Sequence, residues 1–220
     1  MKEVCGLLLC GVLAGCGAGE SIPPVTAQQC QPERDVAQVQ LSLIRRLLNE
    51  EKYYSALASL DGLTDDSAQA QLLRADLLRL LERRAEAAPL YLRLIRGCVA
   101  GAAHHGLALL QAEQHELAGA LDHFRRAVAL APTDTDIRND FGFALLAVGQ
   151  EREARAQLMT ALELAPAHRV AARNLWFLLL KQGHTDQADA LARRFGWDSQ
   201  ERDRVIAAAR RFQPLPGGPL

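Results

Sequence analysis

The chain has 220 residues, 25 Lys and Arg against 26 Asp and Glu, and only 5% aromatic residues. That balance leaves no strongly basic field of the kind that holds nucleic acid. Ala, Leu and Arg dominate, and Pro keeps to the ends and to punctuation points, which is the composition of an all-α chain.

The first element is short and apolar. Residues 4–14 would span roughly 16 Å as a helix, against about 30 Å of bilayer hydrocarbon, so they suit a signal-peptide core and not a membrane span. The stretch runs into Leu13-Ala14-Gly15-Cys16. "LAGC" resembles the lipobox of bacterial lipoproteins. The resemblance implies a signal peptide over 1–15, cleavage before Cys16, and a diacylglycerol on its thiol, the nucleophile that takes the lipid. The alternative is an ordinary leader in which Cys16 falls by chance. Residues 16–34 are rich in Gly, Pro, Ser and Gln without apolar period, a flexible tether between anchor and folded body. Gly17 is not the Asp that retains many lipoproteins in the inner membrane, so the resemblance implies the periplasmic face of the outer membrane. No cofactor is expected beyond the covalent lipid.

From 35 to 212 the chain reads as helix pairs. Residues 36–60 and 72–96 form two pairs with degenerate patterns; the register then sharpens. "FRRAVALAPTD" (124–134) is echoed by "LMTALELAPAH" (158–168), and Pro132/Pro166, Ala120/Ala154, Ala127/Ala161 and Leu130/Leu164 all lie 34 residues apart. This pattern resembles the tetratricopeptide repeat, a helix–turn–helix of that period. Residues 135–168 match best, with Phe141-Gly142 as the large-then-small pair, Gly149 at the turn, Ala154, Leu158 and Ala161 on the second helix, and Pro166 closing the unit. The unit before it carries His115 where the turn Gly is usual, and the unit after it carries Trp176 at the small position. The resemblance implies a superhelix of about five helix–turn–helix units; a plain helical bundle would not need the register. A helix over 199–212 serves as a solvating cap, and 213–220 reads as a frayed, disordered tail.

Two cysteines remain in the mature chain, Cys30 in the tether and Cys98 after the second unit. In an oxidising compartment they commonly pair, and a bridge closing about 70 residues would be worth on the order of 4 kcal/mol. Two free thiols are the alternative. No catalytic constellation emerges. "HELAGA" at His115 lacks a second His one turn on, because that place is Gly119. His104 and His105 are adjacent and diverge by about 100° on a helix, which makes a shared metal awkward. Neither an enzyme, a metal site nor a small-molecule substrate is expected.

Binding is the remaining class. First helices of stacked repeats line the concave face, so positions 34 apart form ladders across it. His105, Asn139 and Arg173 form one ladder; Leu109, Phe143 and Phe177 form another. Together they make a groove for an extended segment or a helix of a protein partner, unless Phe143 and Phe177 merely fill space between neighbouring first helices. The leader, the size and the run from 134 to 183 resemble the TadD family, small tetratricopeptide lipoproteins of tight-adherence (Flp) pilus systems. That resemblance implies a pilotin that helps a pilus secretin ring form in the outer membrane. The alternative is a lipoprotein adaptor of barrel-assembly or cell-wall machinery.

Overall fold

The structure, a computed structural model, describes Cys30 and residues 35–215. The leader and Cys16 lie outside the described residues. Eleven helices and no strand make up the described part. They are α1 (Asp35–Asn49), α2 (Tyr53–Asp61), α3 (Ala68–Leu80), α4 (Arg84–Leu94), α5 (Ala100–Glu113), α6 (Leu117–Leu130), α7 (Thr135–Ala147), α8 (Glu151–Leu164), α9 (Arg169–Lys181), α10 (Thr185–Phe195) and α11 (Ser199–Arg211). Odd helices pack on the even helix that follows, and each even helix also touches the next odd one. That is five stacked hairpins, with α11 laid on α9 as a cap. No described helix is long and apolar enough to cross a membrane.

Two devices alternate along the stack. Inside each hairpin, one residue takes a left-handed backbone: Glu51 (φ 58°), Glu82 (φ 60°), His115 (φ 63°), Gly149 (φ 82°) and Gly183 (φ 75°). A backbone N–H three residues past the helix end then reaches back to a final-turn carbonyl, as Gln150 N does to Leu145 O at 2.9 Å and Arg83 N to Leu78 O at 2.8 Å. The even helices launch directly from these turns and carry no side-chain cap. Between hairpins a side-chain cap takes over, except at α5, where Val99 offers none. Ser67, Asp134, His168 and Asp198 each accept a backbone N–H at the start of α3, α7, α9 and α11. The period of 34 is thus a count of turn, helix, cap, helix.

Small residues set how closely the helices approach. A Cβ on Gly142 would stand 2.8 Å from Leu158 Cγ, and one on Gly106 would stand 2.1 Å from Cε1 of the fully buried Tyr91. In the fifth hairpin the sizes are exchanged. Trp176 stands 34 residues after Gly142, and Ala192 stands 34 after Leu158. Trp176 is fully buried, stacked on Trp197 at 4.6 Å, which in turn stacks on Phe195 at 5.2 Å. The α9–α10 contact is looser than in the two hairpins before it.

Three features differ from the sequence expectation. The second hairpin begins at Ala68, four residues early, because Ser67 caps it and Asp65 in turn binds the Ser67 N–H at 2.9 Å. Pro89 lies inside α4 and is not a punctuation point. The expected disordered tail is held as far as Leu215, whose N–H donates to Ala147 O at 2.8 Å.

Left-handed backbone costs a residue with a Cβ on the order of 1 kcal/mol. Glu82→Gly, at an exposed turn, is therefore expected to stabilise the fold by ~0.5–1 kcal/mol. Gly149→Ala should destabilise by at least as much, because its Cβ would also meet Pro214 Cγ at 3.1 Å. Urea unfolding followed by circular dichroism reads both.

Candidate functional site: the face of the odd helices

A hydrogen-bonded string crosses the odd helices. His105 Nε2 on α5 lies 2.8 Å from Asp140 Oδ2 on α7. The other Asp140 oxygen accepts from Asn139 Nδ2 at 2.9 Å, and Asn139 Oδ1 accepts from Asn174 Nδ2 on α9 at 2.9 Å. Asn139 is buried, so its amide needs these partners. Two of the ladder residues, His105 and Asn139, are in the string. Asp140 and Asn174 were not anticipated: the bonds link positions 35 apart, whereas the ladder was counted at 34. Counting both periods would have found them.

Along the apolar ladder, Leu109 is partly buried against the core and Phe143 is 56% exposed on α7. Phe177 is not free. Its ring meets Phe212 edge-on at 5.5 Å, and the Lys181 ammonium sits over the Phe212 ring at 5.9 Å. Arg173 is likewise engaged, paired with Glu201 of α11 and lying 5.5 Å from the Trp197 ring. From Phe212 the chain crosses to α7, with Pro214 beside Gly149 and Leu215 on Ala147. The chain's own C-terminal segment therefore occupies the α9 end of the face, and the part left open lies over α5 and α7.

Buried charge clusters on the first half of the stack. Tyr91 Oη donates to Asp76 Oδ1 at 2.6 Å, and Arg79 pairs with Glu113 at 2.8 Å, which also accepts from Arg84 at 3.1 Å. Burial pushes the Asp76 carboxyl above its usual range, against the pull of Tyr91 and Arg79. Burial likewise pushes the Tyr91 hydroxyl up, as does Asp76. These groups join α3, α4 and α5. His104 faces His123 of α6, Nδ1 to Nδ1 at 2.8 Å, so one ring donates and the other accepts. No group of three metal-ligating side chains is found among the described residues. Cys30 and Cys98 are joined by a disulfide, Cα to Cα 5.7 Å, which fastens residue 30 to the α4–α5 junction.

A tetratricopeptide-repeat profile matches residues 111–175. The TPR repeat-containing protein PA4299 of Pseudomonas aeruginosa is 34% identical over 98% of this chain and 88% of its own length. The chain belongs to the tetratricopeptide-repeat family. Solved structures share the fold: Pseudomonas aeruginosa PilF superposes with a TM-score of 0.61 at 16% identity, covering 78% of this chain and 87% of its own. YrrB, described as a TPR protein with an unusual peptide-binding site, gives 0.52 at 22% identity over 78% of this chain and 90% of its own. The repeat fold is a scaffold for protein–protein contacts.

The facing imidazoles set a pH dependence. Burial lowers the His104 pKa below 6.5, with His123 adding to it, and burial with Arg126 lowers that of His123. Below about pH 6.5 the unfolded chain therefore takes up protons that the folded chain refuses, and stability falls as pH falls. Thermal unfolding between pH 7.5 and 5.5 should show this loss. The double variant His104→Leu with His123→Leu should flatten it.

Proposed function

We propose that the protein is a lipid-anchored periplasmic scaffold of the outer membrane that seats a segment of a pilus secretin on its odd-helix face, in the manner of a pilotin. The observation that carries the seat is the open stretch over α5 and α7, where the exposed Phe143 shares its helix with the part-buried string from His105 to Asn174. An apolar side chain of the partner can rest on Phe143 while its backbone meets the polar string. The "LAGC" leader supports the anchor on Cys16, and the resemblance of residues 134–183 to the tight-adherence lipoproteins supports the secretin.

Affinity capture of the tagged protein from gently solubilised envelopes, with mass spectrometry of the eluate, tests the reading. Secretin should co-purify with the native bait. Phe143→Glu should reduce its recovery at least about tenfold, the loss expected of a central anchor, with an unchanged melting curve. Phe143 is the residue to vary because Asn139 and Arg173 hold the fold itself through Asn174 and Glu201. Cys16→Ser should release the protein from the membrane fraction. Recovery of barrel-assembly or cell-wall proteins in place of a secretin would keep the scaffold and discard the pilus.

A further inference from the structure

A second groove lies on the opposite side of the stack, between the even helices α8 and α10. Its floor is Leu175 and Leu179 of α9 and its walls are Met159 of α8 and Leu191 of α10, enclosing about 370 Å³. Such a volume falls in the range of about 300–1,000 Å³ typical of ligand-binding clefts. It lies at the fifth hairpin, where Trp176 is fully buried and α9 and α10 pack less extensively than the helices of the two hairpins before.

The rim has one sign of charge. Arg155 of α8 and Arg194 of α10 line the groove, and no carboxylate is among its lining residues. Both guanidiniums are held by neutral acceptors: Arg155 donates to Gln187 Oε1 and Arg194 to Pro166 O, each at 2.5 Å. An apolar trough between two arginines that lack an anionic partner is complementary to a segment with the reverse plan, large apolar side chains flanked by carboxylates. Met159, 42% exposed, supplies an adaptable wall.

We propose that this groove binds a short acidic–apolar peptide segment of a partner protein, independently of the odd-helix face. Arg155 and Arg194 take carboxylates at its two rims, and Met159, Leu175, Leu179 and Leu191 take the apolar side chain between them.

The test is selection of a phage-displayed random dodecapeptide library on the full chain, followed by fluorescence anisotropy with the enriched peptide. Enriched sequences should place Asp or Glu on both sides of Leu, Ile, Phe or Met. Affinity should fall at least tenfold in Arg155→Glu with Arg194→Glu and in the exposed-site variant Met159→Glu, each with the parent's helical circular dichroism. Phe143→Glu should leave it unchanged. Replacing the peptide's carboxylates by Lys should abolish binding to the parent and restore it to the charge-reversed variant. No enrichment, a neutral or basic consensus, or binding that survives the rim variants would overturn the proposal. So would loss of binding in Phe143→Glu, or a dimer in sedimentation that the rim variants break.

Discussion

The rest of the array depends on a single residue per hairpin held with φ near 60–80°, at Glu51, Glu82, His115, Gly149 and Gly183. An odd helix can only be followed at once by its antiparallel partner if one residue leaves the right-handed region. That reversal lets the final-turn carbonyls bond back onto the chain that departs from them. The same reversal starts each even helix without a side-chain cap. Once the turn is made, the two helices must approach to the distance their facing residues allow, and Gly142 against Leu158 shows how little room is left. Hairpins of fixed geometry then repeat, and the repetition forms the faces on which anything can bind.

Packing tolerates an exchange of partners more readily than a change of total volume. Gly142 packs against Leu158, and one period later Trp176 and Ala192 put the large residue on the opposite helix. The second solution draws Trp197 and Phe195 into a stack at the end of α10, where the left-handed Gly196 turns the chain. The hairpin that results is splayed, and its outer side stays open.

The helical period, the central hairpins and the cap were legible because they rest on residues with narrow uses: Gly at a reversal, Pro after a helix, Ala at a crossing. Glu51, Glu82 and His115 carry the same reversal with side chains that have many other uses, so only their position relative to Gly149 and Gly183 betrays them. The site was less legible. His105 and Asn139 were found, yet the bonds between neighbouring odd helices step by 35 and bring in Asp140 and Asn174. Whether Phe143 or Phe177 faces solvent depends on what lies across the face, and periodicity carries no information about that. Phe212 and Leu215 decide it, from a tail whose Pro and Gly content reads as frayed.

Covering one end gives the stack a direction. An array of similar hairpins would offer a peptide several equivalent registers along its odd helices. Here Glu201, Phe212 and Leu215 fill the α9 end, and the Tyr91–Asp76 and Arg79–Glu113 bonds tie α3, α4 and α5 together at the other. Between them, the exposed apolar ladder position is Phe143 alone, beside a polar string whose members are already bonded to one another. A seat with one apolar anchor and a preorganised polar edge loses little conformational freedom on binding and admits one register.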